Sequence, residues 1–250
     1  MPVRQNILIT GASSGLGAGM AREFARRGRN LALCARRTER LDTLRDELLA
    51  QYPDLKISVR ALDVMDFDQV FEVFRQFRDD LGSLDRVIVN AGIGKGKPVG
   101  TGYFWANRQT AETNFVAALA QCEAALEIMR AQHSGHLVTI SSVSAVRGMP
   151  KNLTTYAATK AGLSSLTEGI RADLAGTPIK VSAICPGYIR SEINEKVKNT
   201  PFMVDTETGC RALVKSIESE PATAFVPWWP WAPMAFLMKR LPLSLVSKLS

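Results

Sequence analysis

Thr10-Gly11-Ala12-Ser13-Ser14-Gly15-Leu16-Gly17 is the stretch that decides the architecture of this chain. It follows a short apolar run, residues 6–10, and opens an amphipathic stretch, residues 15–28. Strand, turn and helix in that order make the first crossover of a βαβ unit. Glycines at 11, 15 and 17 permit a tight turn and a close approach of the backbone to a ligand. The helix behind them starts with unpaired N–H groups and the positive end of its dipole, so the turn suits an anion such as a pyrophosphate. An ordinary βα turn does not need three glycines this close together.

The same alternation runs outward from the turn. Apolar runs at 31–35, 56–62, 85–89, 136–141 and 180–184 predict strands. Between them, 38–51, 66–81, 104–131 and 154–174 carry helical patterns, with Val70, Phe71, Phe74 and Phe77 on one side of the third helix. Short, continuously apolar strands alternating with helices predict a parallel sheet covered on both faces. The fold class is therefore α/β: a Rossmann-type doubly wound parallel sheet in a single domain, residues 1–226. An apolar Trp- and Pro-rich tail, residues 227–250, follows it. Such sheets bind ligands at the carboxyl ends of their strands, where the unusual residue clusters of this chain fall.

Composition narrows the function. The 250 residues are 46% hydrophobic and 22% charged, with a formal net charge of +7, as in a soluble globular protein. No run of Lys and Arg interleaved with aromatics marks a nucleic-acid surface. Cys34, Cys122, Cys185 and Cys210 form no CxxC pair, and His133 and His136 are the only histidines. No metal site is expected; isolated cysteines of this kind are usually buried hydrophobes. Reduced thiols and the absence of a cleavable leader point to the cytoplasm, and no apolar run reaches the roughly 18 residues of a membrane span.

The spacing Gly-x-x-x-Gly-x-Gly resembles the cofactor turn of the short-chain dehydrogenase/reductase family. The resemblance runs from about Asn6 to Ser191 through Asp63-Val64, Asn90-Ala91-Gly92, Asn114, Ser142, Tyr156 with Lys160, and Pro186-Gly187. It implies a nicotinamide cofactor held by Gly11, Gly15, Leu16 and Gly17, with Ser13 or Ser14 adding a hydroxyl contact to a 2′-phosphate. It also implies that Asp63 and Val64 bracket the adenine and that Asn90, Ala91 and Gly92 line the trough. Pro186 and Gly187 would bind the cofactor, and Ile189 and Ser191 would meet its carboxamide. In the family a threonine often makes that last contact; here Ser191 keeps only the hydroxyl.

The second strand ends in Cys34-Ala35-Arg36-Arg37, with no acid to accept from a ribose 2′-hydroxyl. A guanidinium pairs with a 2′-phosphate through two parallel bonds, whereas a carboxylate repels it. The expected cofactor is NADP(H), with Arg36 the better candidate and Arg37 the second.

Tyr156 and Lys160, four residues apart, share a helix face. A neighbouring ammonium and an oxidised nicotinamide favour the phenolate, lowering a pKa of about 10 toward neutrality. Tyr156 then acts as general acid or base, and Ser142 holds the substrate oxygen. The resemblance implies that Lys160 also binds the nicotinamide ribose and that Asn114 helps seat a water linking Lys160 to solvent. In the family twelve residues usually separate the serine from the tyrosine. Here there are thirteen, the added one falling within 146–155.

The expected reaction is hydride transfer between NADP(H) and a carbonyl or alcohol carbon. Walls at 93–98, 143–155 and 188–202, with Met149, Leu153, Tyr188, Phe202 and Met203, point to an apolar, lipid-, steroid- or long-chain-like substrate. A 3-oxoacyl-thioester reductase and a non-catalytic NADP-binding regulator or membrane-associated scaffold stay open as alternatives. The family's usual closing strand and Gly-rich turn are replaced by a tail with Trp228, Trp229 and Trp231, and Lys239, Arg240 and Lys248 as its only charges. Tryptophan with cations suits a bilayer headgroup region, while prolines 227, 230, 233 and 242 prevent one long helix. The tail rests either on the inner face of a membrane or on its own or a partner subunit. The resemblance implies a homodimer or homotetramer.

Overall fold

The computed structural model describes residues 3–192 and 200–246. Seven strands form one parallel sheet: β1 (Asn6–Thr10), β2 (Asn30–Ala35), β3 (Ile57–Ala61), β4 (Arg86–Val89), β5 (Gly135–Ile140), β6 (Ile179–Pro186) and β7 (Thr223–Val226). Their spatial order is β3-β2-β1-β4-β5-β6-β7, so the direction of winding reverses between β1 and β4. The helices are α1 (Gly15–Arg26), α2 (Thr38–Gln51), α3 (Phe67–Leu81), α4 (Phe104–Ala111), α5 (Ala117–Gln132), α6 (Thr154–Asp173) and α7 (Thr206–Glu218).

Two apolar cores cover the two faces. One joins Val70, Phe74 and Phe77 of α3 and Ala125 and Met129 of α5 to Leu8, Val87 and Leu137 of the sheet. The other joins Met20 and Phe24 of α1, Leu41 of α2 and Leu213 of α7 to Ile7, Ile9, Leu31 and Leu33. Each fully buried Phe or Leu contributes about 1.5–3 kcal/mol. Local signals set the limits of α3. The Asp66 carboxylate accepts from Gln69 N–H at 3.1 Å, and Gly82 closes the helix at a φ of 86°. Phe71 sits at the edge of the buried face rather than within it.

Two expectations need correction. The long helix over 104–131 is not regular: Glu112–Val116 forms a π-helical turn between α4 and α5, with Ala117 N–H reaching Glu112 O. The closing strand is not replaced, because β7 pairs with β6 from Ala183↔Thr223 to Pro186↔Val226. What departs from the expected ending comes after it: α8 (Trp228–Met238), kinked where Trp229 has a ψ of 133°, and the short α9 (Leu243–Val246). Trp231, Ala235 and Val246 of this tail are buried on the chain's own domain, and Arg147 Nη1 donates to Met238 O at 2.7 Å and Leu241 O at 2.6 Å. No helix among the described residues is long and apolar enough to cross a membrane.

Candidate active site

The winding reversal leaves a crevice beyond the carboxyl ends of β1 and β4, and the glycine turn lies there. Gly11 and Gly15 hold φ of 66° and 54°, a region that favours glycine. Gly17 is required for another reason: a Cβ there would collide with Gly11 O. Thr10 and Asn90 brace the turn across the crevice. Thr10 Oγ1 accepts from the N–H groups of Asn90 at 3.0 Å and Ala91 at 3.1 Å, and Asn90 Nδ2 donates to Thr10 O at 2.8 Å. Sequence reasoning gives Thr10 no role; its signal is its place as the last strand residue before the first glycine.

Ser14 is the N-cap residue of α1, yet its side chain does not cap the helix. The N–H groups of the first turn, Gly15, Leu16 and Gly17, thus face the crevice without a side-chain acceptor from Ser14. Backbone glycine and unclaimed helix donors make a cradle that fits a pyrophosphate.

At the end of β2, Arg37 turns into this region. It donates to Ser13 Oγ at 3.3 Å and to Ser14 Oγ at 2.7 Å. Arg36 is exposed. The sequence ranks Arg36 before Arg37, but Arg37 is the one that approaches the turn. After β3, Asp63 Oδ1 accepts from Met65 N–H at 3.1 Å and Val64 is buried. After β6, Pro186 gives way to Gly187, whose N–H donates to Val226 O at 2.9 Å and whose Cα face is covered by the Trp231 ring. Ile189 is buried and bridges to Val204. Ser191 packs on the turn, its Cβ 3.3 Å from where a side chain of residue 15 would begin.

Ser142, Tyr156, Lys160 and Asn114 come together beside the crevice. Ser142 follows β5 and stands close enough to Tyr156 on α6 to lower the pKa of its phenol. Lys160 Nζ lies 5.9 Å from the Tyr156 ring centroid and donates to Ile140 O at 2.7 Å. Ser141, absent from the sequence-based set, ties β5 to α6 by donating to Lys160 O at 2.9 Å. The loop accommodates the added residue before Tyr156, with Lys151 at a φ of 58°. Asn114 sits in the π-helical turn, a deviation often found at functional sites. It accepts from Ile93 N–H at 2.8 Å and donates to Ile93 O at 2.9 Å, so its amide fixes the exit of β4. Gly92 lies between Asn114 and Lys160: a Cβ there would stand 3.1 Å from Asn114 Oδ1 and 3.6 Å from Lys160 Nζ.

Burial pushes Lys160 down to about 8. It pushes Tyr156 up, against the opposing effect of the nearby Ser142 hydroxyl. In the chain's own surroundings desolvation is the largest effect on the phenol, and the lowering expected from an ammonium together with an oxidised nicotinamide belongs to the cofactor-bound site.

Of the expected substrate walls, 93–98 and 143–155 meet where Gly96 packs on Asn152 O. Residues 193–199 of the third wall lie outside the described residues, as do 247–250 of the tail and residues 1 and 2. In the described part, Tyr188 and Phe202 meet Trp231 edge-on, at centroid distances of 5.5 and 6.3 Å. The tail therefore adds Trp231 to the Tyr188 and Phe202 cluster, a contact that the sequence does not assign.

A family model for short chain dehydrogenases matches residues 5–201. The chain belongs to the short-chain dehydrogenase/reductase family. Among curated relatives, an uncharacterized oxidoreductase of Mycobacterium tuberculosis is 58% identical over 239 residues, covering 96% of this chain and 94% of that one. A 3alpha-hydroxysteroid dehydrogenase of Mediterraneibacter gnavus is 27% identical, covering 74% of each chain. Among solved structures, a short-chain type dehydrogenase/reductase from Mycobacterium marinum superposes with a TM-score of 0.81. It is 26% identical and covers 90% of this chain and 94% of that one. As an oxidoreductase of this family, the chain acts on alcohol or carbonyl groups with a nicotinamide cofactor.

Proposed function

We propose that this short-chain dehydrogenase/reductase is an NADPH-dependent reductase of apolar ketones or aldehydes. The observation that carries the reading is the joining of Ser142, Tyr156 and Lys160 beside the glycine cradle. When bound, the nicotinamide supplies the hydride to the carbonyl carbon. Ser142 donates a hydrogen bond to the substrate oxygen, and Tyr156 delivers the proton that turns it into an alcohol. Lys160, with its proton, holds the nicotinamide ribose, and Asn114 fixes the loop beside it. A phenol pushed up by burial stays protonated at neutral pH, which suits proton donation. The reverse reaction needs the phenolate, which a cationic nicotinamide would favour.

The lack of an acid at the end of β2, with Arg36 and Arg37 in its place, supports NADP(H) over NAD(H). The Tyr188, Phe202 and Trp231 cluster supports an apolar substrate, as does the likeness to the hydroxysteroid dehydrogenase. The test is cofactor oxidation against steroidal, long-chain, aromatic and acyl-thioester carbonyls. Turnover is expected on the steroidal or long-chain compounds, with kcat/KM for NADPH about tenfold or more above that for NADH, as a charge-assisted pair to the 2′-phosphate implies. Preference for NADH would overturn the cofactor assignment; preference for acyl thioesters would move the substrate class.

The outer face of the tail extends this reading to a membrane surface. Trp228 and Trp229 are each 70% exposed, next to exposed Phe236, Leu237, Lys239 and Arg240. Aromatic and cationic groups with no acid suit an anionic lipid interface. Changing Trp228 and Trp229 to Ser and Lys239 to Glu is expected to cut co-sedimentation with phosphatidylglycerol vesicles by about tenfold, since each basic group near such a surface contributes about 1 kcal/mol. Equal pelleting of the variant and the parent would refute it.

A further inference from the structure

Arg37 and Arg40 stand on the same side of the glycine turn, Arg37 as the N-cap residue of α2 and Arg40 within its first turn. Both point at one carboxylate. Glu192 Oε2 accepts from Ser14 Oγ at 2.9 Å and from Arg37 Nη2 at 3.0 Å, and Glu192 Oε1 accepts from Arg40 Nη1 at 2.6 Å. Arg22, on the neighbouring rim, is instead paired with Glu47. Ser13, Arg40 and Thr43 line a shallow cavity of about 210 Å³ beside this cluster. Two guanidinium groups and the Ser14 hydroxyl converge on two anionic oxygens, with Ser13 Oγ holding Arg37, a pattern that a phosphate monoester also satisfies.

We propose that Arg40 joins Arg37, Ser13 and Ser14 in an anion site for the 2′-phosphate of NADP(H), and that the Glu192 carboxylate is its internal competitor. The inference rests on the NADP(H) reading given above. Cofactor binding would exchange one anion for another at the same donors, so Glu192 lowers the affinity for the 2′-phosphorylated cofactor and leaves that for NADH nearly untouched. The pairing is strong enough to hold the Glu192 carboxyl down to about 2, through Arg37 first, then Arg40 and Ser14. The cluster is half exposed, with the Arg37, Arg40 and Glu192 side chains 42%, 51% and 49% accessible. Solvent and salt therefore moderate the competition.

The test is equilibrium binding of NADPH, NADH and adenosine 2′,5′-bisphosphate to the full chain and to Glu192→Gln, Arg40→Ala and the double variant. Removing the competing charge is expected to tighten NADPH and the bisphosphate by about three- to tenfold, the range for two partly exposed ion pairs. NADH should change by less than about twofold, and the gain should shrink in the Arg40→Ala background, as coupled residues require. If Arg40→Ala weakens NADPH but Glu192→Gln changes nothing, the competitor role is overturned while the NADP(H) reading stands. If neither variant alters the ratio of NADPH to NADH affinity and NADH binds as tightly, the NADP(H) reading itself fails. Weaker NADH binding in Glu192→Gln would overturn the proposal in favour of Glu192 as an acceptor for the ribose hydroxyl.

Discussion

Tyr156→Phe is expected to lower kcat by about 10³-fold, within the range that a positioned general acid contributes. NADPH affinity should stay within about twofold. Phe keeps the ring that α6 packs and removes only the hydroxyl beside Ser142, at a cost to stability of about 1 kcal/mol or less. The cofactor cradle does not depend on that hydroxyl: it is built by Gly11, Gly15 and Gly17 and braced by Thr10 and Asn90. The measurement is steady-state kinetics on the best substrate of the panel, with thermal unfolding and NADPH titration of the same protein. A variant that keeps more than about a tenth of the parental kcat would remove Tyr156 from the proton transfer. A variant that loses NADPH binding as well would mean the hydroxyl holds the site together.

How much of this was legible in the sequence follows from which forces act locally. β1, the glycine turn and α2 stand where the sequence places them, because strand apolarity, three glycines and an amphipathic helix are all written within short windows. The grouping of Ser142, Tyr156 and Lys160 follows from helix periodicity plus the strand end, and the structure brings them together. What the sequence does not reveal depends on distant partners. β7 is four residues between Pro221-Ala222 and Pro227, too short to show a period, and it exists because β6 offers it an edge. The π-helical turn at Asn114 leaves no trace in hydrophobic spacing. Thr10, Ser141 and Glu192 are ordinary polar residues whose partners lie 80, 19 and 178 positions away. The burial that raises the Tyr156 phenol is hidden for the same reason: proximity of a lysine is visible in YxxxK, but desolvation is a property of the packed site.

Glu220→Ala is expected to destabilise the fold by about 3–5 kcal/mol, the loss when a buried ion pair is broken from one side. At the end of the sheet away from the crevice, the Glu220 side chain, 5% accessible, accepts from Arg4 Nε at 2.8 Å and from Arg86 Nη2 at 3.3 Å. Arg4 and Arg86 are themselves nearly inaccessible, at 6% and 3%. Removing the carboxylate leaves two buried cations facing each other. Burial already holds Arg86 down to about 10 even with Glu220 present. The same network fixes the protonation of His136. Its Nδ1 accepts from Arg86 Nε at 2.8 Å. Its Nε2 pairs at 2.8 Å with Ser182 Oγ, which donates to Pro221 O. That is a neutral ring with its proton on Nε2, and burial, Arg86 and Arg4 hold its pKa well below the ordinary histidine value of 6.5. A histidine depressed in the folded state is protonated only on unfolding, so its stability contribution is present above pH 6.5 and is lost as pH falls below it. The slope approaches about 1.4 kcal/mol per pH unit for one proton. Urea unfolding of the parent protein should therefore show about 1 kcal/mol less stability at pH 5.5 than at pH 7.5. A flat profile across that window would mean that His136 is protonated to the same extent in the folded and unfolded chain. A Glu220→Ala variant within about 1 kcal/mol of the parent at pH 7.5 would mean that the two arginines find solvent or another carboxylate, and that the cluster does not hold the amino ends of β4 and β5 together.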